Sequence, residues 1–523
     1  MLLIIFLFHG FAAALWPIAR SDSSGTTPIK LSPEFDIHLD ILNPPSDLVS
    51  AVSRTISRTI TDSFQRLVVG RSAADARAVE SARTLMSLVL SLYPGSPVRS
   101  IVDETNQPVT SKSEGYSLSI STPSATLVAQ STLGLLRGLA TFEQLWYDHN
   151  RTKYLLDGGI EIVDQPAFPY LFKEELSLNV LYWHVIDSQS FPLDIRAFPE
   201  LAEAGAYSSD EIYTQKDIQR VVQYANERGV DVVMELDSPG HTTAIGAAYP
   251  EHIACASKSP WSKYASEPPA GQLRIASPAT VSFAETLFDS VASMLPSKMM
   301  SSGGDEVNLP CWEEDEQTQA DLAQRNITIA EALNGFVQAT PFIKSDMVLT
   351  HNVPVVNDTL WQTSEDAASV AERNLRFIHQ PSNYFYLDCG AGEWLGNDIL
   401  GNSWCDPFKT WQRAYSFDPF ANLTQEQHHL VLGGQMPLWS EQSSPENLDS
   451  IVWPRLAVAA EVFWTGETLP DGTSRLGPNV TSGRNALARL NELRYRLVDR
   501  GVNAIALQPK WCALRPGECD LDS

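Results

Sequence analysis

The chain has 523 residues and a mass of 57.7 kDa, enough to bury a large core and, by length alone, to form about two domains. Hydrophobic residues make up 43% of it, which excludes wholesale disorder. Its 37 basic and 63 acidic residues give a net charge of −26. Such a field repels phosphate backbones and anionic lipids, which disfavours nucleic-acid binding and leaves neutral or cationic substrates.

The N-terminus carries the pattern of a secretory signal peptide, which we place at residues 1–20. It opens with the apolar run MLLIIFLF, and AAAL, Ala12 to Leu15, supplies the small residues of a cleavage site. A membrane anchor is the alternative, but the run is shorter than the ~20 residues that a spanning helix needs. Secretion is therefore expected. Five sequons fit a glycoprotein: Asn150, Asn326, Asn357, Asn422 and Asn479.

The six cysteines favour disulfides over a zinc site, because they are even in number and lack paired CxxC spacing. ALRPGE contains a Pro-Gly turn that could bring two flanking sulfurs together. Sequence alone does not fix the connectivity. The working assignment pairs Cys512 with Cys519, Cys255 with Cys311, and Cys389 with Cys405.

The first region, residues 30–168, is predicted to be a small α+β domain. Gly115–Ser121 alternates like a strand, and Ser131–Asp148 has the apolar spacing of a helix. The following link, IEIVDQPAFPY, contains Pro166 and Pro169 and is typical of a domain boundary.

The second region, residues 169–523, alternates short apolar runs with helical stretches, which indicates parallel βα units. QKDIQRVVQYANERG has helical spacing and ends in glycine. The predicted buried strands are LNVLYWHVID, VDVVMELD, NYFYLD and LVLGGQMPLW.

Polar and aromatic residues stand at the trailing ends of these strand runs, where (β/α)8 barrels assemble their active sites. A Rossmann-like sheet also places ligands at strand ends, but no GxGxxG turn is found. We therefore predict an α/β fold, a (β/α)8 TIM-type barrel. The residues in question are His184, Asp187, Glu235, Asp237, His241, Asp305, Glu306, Asp388, Trp439 and Glu441.

MMSSGGDEVN places Asp305 and Glu306 side by side after a glycine pair. Like charges this close resist ionising together, so one of the two is expected to hold a proton near neutral pH. Hydrolases cut acetals with such acid pairs, although adjacent acids are also common on solvated loops. The glycines are expected to let the backbone turn tightly, so that both side chains face a pocket.

Six motifs occur in order between roughly Asn179 and Trp464: NVLYWHVIDSQSFPL, ELDSPGHT, SGGDEVNLPCW, NYFYLDCG, GNSWCDPFKTW and LVLGGQMPLWSE. Together they resemble the family-20 glycoside hydrolases, the β-N-acetylhexosaminidases, and the secreted fungal branch in particular. The preceding α+β domain also matches. The resemblance implies substrate-assisted catalysis, in which the 2-acetamido carbonyl of the sugar attacks the anomeric carbon. Glu306 would be the general acid and then the base, while Asp305 would orient the acetamide.

The resemblance also implies the sugar-binding residues. Tyr386 would hydrogen-bond the acetamide oxygen, and Asp388 would lie near the sugar hydroxyls. Trp361 and Trp439 would be pocket walls, and Glu441 would hold the 4- and 6-hydroxyls. Core packing is the alternative for a Trp or Tyr at a strand end.

Asp187, His241 and His184 would contact the acid rather than the sugar, and tune it. A zinc site at these histidines is the alternative, but no HExxH or comparable spacing supports it. The resemblance implies neither a metal nor a cofactor.

Two departures from the family pattern predict a barrel incomplete at its first and fifth strands. Only Leu171–Ser177 fills the interval of the first strand, so the arginine that clamps the sugar has no counterpart. Lys173 is a nearby cation, but it cannot present a bidentate fork. ATPFIKSDMVLTHNVP lacks the W-E-E type motif of the fifth strand. Losing strands opens the edges of a barrel.

The predicted function is an exo-acting β-N-acetylhexosaminidase that removes terminal N-acetylglucosamine or N-acetylgalactosamine from chitin oligomers or glycans. The alternative is a catalytically impaired or silent sugar-binding homologue, because the arginine and a pocket tryptophan are missing. A chitinase is disfavoured, since DxxDxDxE is not found. No nucleic-acid or membrane partner is expected, and a homodimer is compatible with the resemblance.

Overall fold

The computed structural model divides into an N-terminal α+β part and a barrel of parallel strands wrapped by helices. The residues described are 15–170, 179–339, 347–349, 365–396, 399–478, 480–481 and 485–521.

An eight-stranded sheet forms the N-terminal part, in the order β1-β8-β4-β5-β3-β2-β7-β6. The predicted strand and helix are both confirmed, because the structure has a strand over Tyr116–Ile120 and a helix over Thr132–Gln144. The Ser131 hydroxyl caps this helix by accepting the Gly134 N–H. The strands are β1 Ser21–Ser23, β2 Thr27–Asp40, β3 Arg83–Leu92, β4 Tyr116–Ile120, β5 Ser124–Ala129, β6 Tyr147–His149, β7 Thr152–Gly158 and β8 Ile160–Asp164. The helices are α1 Ser46–Thr61, α2 Arg71–Ser81, α3 Ile101–Thr105 and α4 Thr132–Gln144.

The barrel strands run parallel. β10 pairs with β9 and continues through a bridge from Glu235 to Ser301. A second group pairs in the order β13-β14-β15, and Tyr170 bridges to Gly433 of β15. The remaining strands of the chain are β9 Val180–Ile186, β10 Asp231–Leu236, β11 Ile253–Ala254, β12 Gln272–Leu273, β13 Met347–Leu349, β14 Arg376–His379 and β15 Val431–Gly434.

Side chains from these strands fill the barrel interior. Tyr170, Val180, Val233, Ile378 and Leu432 come from separate strand positions and form one buried apolar cluster. A packed layer contributed by alternating strands is how such barrels close their centre. The interior is therefore a core, and the site must lie at one rim.

Helices surround the barrel strands. Thr214 caps α6 through a reciprocal capping box with Asp217, which explains why the predicted helix begins there. The helices are α5 Pro199–Gly205, α6 Gln215–Asn226, α7 Pro278–Ala292, α8 Leu309–Glu314, α9 Glu316–Arg325, α10 Ile329–Ala339, α11 Glu365–Glu372, α12 Ser382–Phe385, α13 Trp411–Tyr415, α14 Leu448–Val452, α15 Arg455–Trp464, α16 Ala486–Asp499 and α17 Lys510–Ala513. None of the helices in the described ranges combines the length and apolar character that a membrane crossing needs.

One predicted strand is wrong. NYFYLD is not extended at its start: α12 covers Ser382–Phe385, and the strand of this unit is β14, just upstream. Pro381 precedes the helical turn, and Phe385 is fully buried in it. A short run of buried aromatics fits either a strand or a helical turn, so periodicity alone could not separate the two.

The two intervals predicted to lack strands differ in the structure. Most of the first interval, residues 171–178, lies outside the described residues. The second interval does contain a strand, because β13 falls inside ATPFIKSDMVLTHNVP and pairs in parallel with β14. The expectation of a missing fifth strand is thus corrected to a short strand of three residues.

The predicted disulfides are confirmed. The structure joins Cys255 to Cys311, Cys389 to Cys405, and Cys512 to Cys519, and leaves no cysteine free. The second bridge closes a loop directly after Tyr386, which brings it beside the candidate site.

Residues just after the N-terminal apolar run are part of the core. Trp16 is fully buried, and its indole N–H donates to the Ala457 carbonyl at 2.6 Å. The Ile18 N–H donates to Glu461 Oε2 at 3.0 Å. The boundary at residue 20 stays a prediction. Because a removed leader cannot pack here, we propose that any cleavage precedes Leu15.

Replacing Trp16 by alanine should lower the free energy of unfolding by about 3–5 kcal/mol, since a buried indole would leave a cavity. Denaturant unfolding of the Trp16→Ala variant measures this. Trp511→Ala is the matched control, because that indole is half-exposed and its loss should cost less than about 0.5 kcal/mol. Equal stabilities for the two variants would contradict the burial of the N-terminal segment.

Candidate active site

The predicted site residues converge at the carboxyl ends of the barrel strands, apart from those outside the described ranges. Parallel strands put these ends at a single rim, so side chains distant in sequence become neighbours. They are His184 and Asp187 from β9, Glu235, Asp237 and His241 from β10, Asp305 and Glu306 after Ser301, Tyr386 and Asp388 after β14, and Trp439 and Glu441 after β15.

The acid pair sits on a loop that bends around Asp237. Oδ1 of Asp237 accepts the N–H of Gly304 at 2.8 Å and the N–H of Asp305 at 3.2 Å. Gly303 and Gly304 have φ of 62° and 128°, and a Cβ on Gly303 would overlap the Asp237 carboxylate. Glycine is therefore required at position 303. The predicted tight turn is confirmed.

The two adjacent acids have different environments. Asp305 is 4% exposed, whereas the Glu306 side chain is 35% exposed. Glu306 has a left-handed backbone, with φ of 52°, which is uncommon for a residue with a side chain. The loop thus buries one carboxylate and presents the next to the cleft.

A chain of alternating acids and imidazoles links a buried carboxylate to Glu306. Glu235 Oε2 lies 2.7 Å from His184 Nδ1, and His184 Nε2 lies 3.3 Å from Asp187 Oδ2. Asp187 Oδ1 accepts from His241 Nδ1 at 2.8 Å, and His241 Nε2 lies 3.4 Å from Glu306 Oε2. Five groups therefore form one connected path that ends in the cleft.

The electrostatics of this path favour imidazolium–carboxylate pairs. Burial alone would lower the pKa of His184, but its hydrogen bonds to Asp187 and Glu235 raise that pKa well above its ordinary value. Burial also acts to lower the pKa of His241, and Asp237 together with Asp187 raises it well above the ordinary range. Burial would raise the pKa of Asp187, but the two histidines hold it below its usual value.

Asp237 is a buried acid for which the sequence predicts a place at a strand end but no role. Burial raises its pKa to about 8, and the neighbouring charge of Asp305 adds to the shift. The raised pKa therefore belongs to Asp237, which bonds to the same loop, and the division of protons expected between Asp305 and Glu306 stays a prediction.

Aromatic rings form one wall of the cleft. Tyr386 is buried, and its ring lies 6.3 Å from Trp439 and 5.7 Å from Trp404, centroid to centroid. Trp439 meets the His184 ring edge-on at 4.9 Å. Trp404 is 61% exposed although it packs on Tyr386, so its outer face is open to solvent.

Asp388 offers an unsatisfied acceptor at this wall. Its Oδ1 is buried and has no hydrogen-bond partner among the described residues. Burial raises the pKa of Asp388 to about 6, while the charges of Arg455 and Lys409 oppose the shift. A buried acceptor without a partner is costly unless a ligand donates to it.

Comparison with known proteins decides the family. The family description "Glycosyl hydrolase family 20, catalytic domain" matches residues 175–467, and "beta-acetyl hexosaminidase like" matches residues 15–145. The chain belongs to glycosyl hydrolase family 20. The prediction of the family is confirmed, and with it the fold class and an enzyme class, glycoside hydrolases of the β-N-acetylhexosaminidase type.

Similar family-20 proteins come from fungi, insects and mammals. A "Beta-hexosaminidase" of Arthroderma benhamiae is 32% identical over 78% of this chain and 74% of the relative. A "Chitooligosaccharidolytic beta-N-acetylglucosaminidase" of Bombyx mori is 31% identical over 78% of this chain and 74% of the relative. The solved chitobiase of Flavobacterium johnsoniae has a TM-score of 0.69 at 23% identity, and the alignment covers 93% of this chain and 73% of that one. At that identity the structure supports the fold alone.

Within this family-20 site, sequence reasoning overlooked Glu267 and Trp404. Glu267 lies on the loop after β11, where its Oε1 accepts from Gln189 at 3.2 Å and stands 3.9 Å from His241 Nδ1. Glu267 also acts on Glu441. Desolvation by the surrounding protein raises the pKa of Glu441 to about 7, and the charges of Glu267, Asp388 and Asp187 add to this shift, although the Glu441 side chain is exposed. Trp404 is the first tryptophan of the motif GNSWCDPFKTW, and the resemblance to the family predicts no role for it.

Two predicted positions cannot be placed. Trp361 and Lys173 both lie outside the described residues. The role of Trp361 stays a prediction, and none is predicted for Lys173. Arg455 and Lys409 are the cations that act on Asp388, and both donate to backbone carbonyls. Arg455 donates to the Leu387 carbonyl at 2.6 Å, and Lys409 donates to the Cys405 carbonyl at 2.5 Å.

The donor sets of the cleft fit a metal poorly. Ligand atoms of Asp187, His241 and Glu267 lie within 4.8 Å of one another, but His241 Nδ1 faces Asp187 at 2.8 Å as a proton donor. A protonated nitrogen cannot ligate. The second group includes Cys389 and Cys405, whose sulfurs are joined in a disulfide.

The Gly303→Ala variant should reduce kcat/KM on the order of 100-fold, because the added Cβ would displace Asp237 or the loop that carries both acids. Steady-state kinetics on an aryl N-acetylglucosaminide measure the loss. Gly335→Ala is the matched control, since its Cβ would meet open space in α10 and helix propensity should rise. Unchanged kinetics in Gly303→Ala would show that the close approach to Asp237 does not position the acids.

Proposed function

We propose that the chain removes terminal non-reducing N-acetylhexosamine from chitin oligomers or glycans by substrate-assisted, retaining hydrolysis. The observation that carries the proposal is the geometry of the adjacent acids: Asp305 is buried beside Asp237, and Glu306 faces the cleft at the end of the hydrogen-bonded path. One loop thus supplies a fixed carboxylate and an accessible proton carrier.

Glu306 is the proton carrier in this mechanism. In its protonated form it donates to the glycosidic oxygen as the bond to the leaving group breaks, and it later takes a proton from the attacking water. His241 Nε2, 3.4 Å from Glu306 Oε2, is positioned to stabilise the carboxylate that forms after the first transfer. Asp187 holds the opposite nitrogen of this imidazole.

Asp305 acts on the acetamide. The carbonyl oxygen of the sugar attacks the anomeric carbon, and positive charge develops on the acetamide nitrogen of the oxazolinium intermediate. A carboxylate fixed in a buried position stabilises that charge without reorganisation. Tyr386, buried and close enough for Asp305 to act on its pKa, would donate its O–H to the acetamide oxygen.

The remaining residues hold the sugar ring. The unsatisfied Oδ1 of Asp388 would accept a sugar hydroxyl, and Glu441 would accept the 4- and 6-hydroxyls. Trp439 would supply an apolar surface for the pyranose ring, with Trp361 as a second wall. A cleft of acids and aromatic rings suits a neutral, hydroxyl-rich substrate.

A silent sugar-binding homologue is not favoured. The path from Glu235 to Glu306 is continuous, and Asp237 holds the acid loop. A homologue without turnover would have no need of these charged, buried partners, which cost stability to desolvate.

We also propose secretion. All six cysteines form disulfides, which persist in oxidising compartments. Three sequon residues, Asn150, Asn326 and Asn422, are exposed and would be accessible to glycosylation. Asn357 and Asn479 lie outside the described residues. A homodimer stays a prediction.

The Glu306→Gln variant should lower kcat on an N-acetylglucosaminide by 10²–10⁴-fold, because the amide cannot transfer the proton. An aryl glycoside with a poor leaving group measures this best. Glu313→Gln is the matched control, since that exposed acid follows on the next helix and should leave kcat unchanged.

Two outcomes would contradict the mechanism. Full activity in the Glu306→Gln variant would show that Glu306 is not the general acid. Equal wild-type rates on a 2-hydroxy glucoside and on the 2-acetamido substrate would show that the acetamide group does not assist the reaction. Tight binding of a thiazoline mimic without turnover would instead restore the silent homologue.

Trp404→Ala should lower kcat/KM on a chitin trisaccharide about tenfold while changing it little on a small aryl glycoside. Trp404 packs beside Tyr386 and keeps its outer face open to solvent, so a second sugar that extends out of the cleft would stack on that outer face. Competition between the two substrates measures the ratio directly. Trp511→Ala, a half-exposed indole on α17, is the control, and equal losses on both substrates would argue against a role in oligomer binding.

A further inference from the structure

A pocket of about 670 Å³, including its open mouth, concentrates positive charge far from the catalytic rim. Two helices each bring an arginine pair at i, i+4 spacing: Arg54 and Arg58 on α1, and Arg496 with Arg500 at the end of α16. Arg228, just after α6, completes the lining cations. In a chain with a net charge of −26, this is a marked local reversal.

Glu143 of α4 is the acid among the described lining residues, and it is shared. Its Oε1 accepts the Thr55 hydroxyl at 2.8 Å, while its Oε2 lies 3.8 Å from Arg58 and 3.4 Å from Arg500. Two acids outside the lining act on single arginines, Asp62 on Arg500 at 2.7 Å and Glu492 on Arg496 at 3.0 Å. Among the described lining residues, five arginines thus stand against one acid, although Arg496 and Arg228 also donate to the carbonyls of Trp146 and Tyr224.

The pocket lies at the end of the barrel opposite the catalytic groups. Arg228 precedes β10, which begins at Asp231, whereas Asp237 follows the last residue of that strand. Six residues of strand span roughly 20 Å. Residues at the amino ends of barrel strands serve stability rather than chemistry.

The lining comes from both parts of the chain. α1 and α4 belong to the N-terminal part, and α6 and α16 to the barrel part. Arg54 already crosses the junction by donating to the Glu227 carbonyl at 3.2 Å. Anything held by these arginines would therefore tie the two parts together.

We propose that this pocket binds a tetrahedral oxyanion, phosphate or sulfate, which bridges the N-terminal part and the barrel. Guanidinium forks match the oxygen geometry of such anions through paired N–H donors. Like charges at i, i+4 repel each other, and both pairs line one pocket, so a bound anion would add to the attraction that Glu143 already supplies to Arg58 and Arg500. The partial burial of the arginines strengthens the attraction relative to open solvent.

The test is thermal unfolding of the full chain in sodium phosphate, sodium sulfate and sodium chloride at equal ionic strength. Phosphate and sulfate should raise the midpoint saturably and by several degrees over chloride. Isothermal titration with inorganic phosphate should give one site per chain. A linear, non-saturating rise would reflect salt exclusion from the surface and would overturn the proposal.

Variants assign the effect to the pocket. Arg58→Gln and Arg500→Gln should each weaken phosphate binding at least tenfold and remove most of the shift in midpoint. Arg54→Gln is the second choice if these variants fold poorly, because that lining side chain is half-buried and donates to a backbone carbonyl, that of Glu227. Arg515→Gln, outside the pocket on the C-terminal segment, should keep the full shift. Equal shifts in all variants would overturn the proposal.

The oxyanion could arrive free or as an ester on a sugar. A 6-sulfated N-acetylglucosamine that binds more tightly than inorganic sulfate in wild type, and no better than sulfate in Arg58→Gln, would identify the ester as the source. Equal affinities would identify the free anion. In either case the activity of wild type on an unsulfated aryl glycoside should change less than twofold with phosphate, since the pocket lies away from the catalytic groups.

Discussion

The catalytic rim depends on the carboxyl group of Asp237. This group is buried at the end of β10 and accepts two successive backbone N–H groups from the loop that carries the acid pair. The bridge between Glu235 and Ser301 fixes the start of the same loop. Gly303 has no space for a Cβ because the loop lies directly against the Asp237 carboxylate. Moving the loop away would break both of these hydrogen bonds. The position of Asp305 therefore follows from a strand end and a glycine.

The second constraint is the alternation of acids and imidazoles from Glu235 to Glu306. Each histidine places both ring nitrogens against carboxylates, so both rings favour the protonated form. Tyr182 and Ser301 donate to Glu235, which satisfies the buried end of the path. Glu235 is thus held by hydrogen bonds at the buried end of the path, whereas the Glu306 side chain at the exposed end is free to give and take a proton.

The barrel and its catalytic rim could be predicted from the sequence because one pattern recurs along the chain. Each short apolar run, typical of a buried strand, is followed by polar residues at the strand end. It also predicted α4 from apolar spacing, and α6 from apolar spacing together with a terminal glycine. It failed at NYFYLD, where buried aromatics fit a helical turn as well as a strand. The contact of Asp237 with the acid loop had no signal in the sequence, since it joins two strand ends through backbone groups.

The same limit applies at the N-terminus. Trp16 follows closely on the apolar N-terminal run, and the local sequence gives no sign that it packs against α15 rather than belonging to the predicted signal peptide. Glu267 was missed for a related reason, because it lies on a connecting loop and reaches His241 only after the chain has folded.

Charge connects these features. The described acids of the cleft outnumber its cations, and this lowers stability because the fields of like charges add. Burial raises the pKa values of Asp237, Asp388 and Glu441, and neighbouring acids add to the shift at Asp237 and Glu441. Hydrolysis through an oxazolinium intermediate places positive charge in this field, so the excess of carboxylates lowers the energy of the intermediate relative to the neutral substrate. The five arginines of the distal pocket stand at the other end of the barrel, where they do not cancel that field.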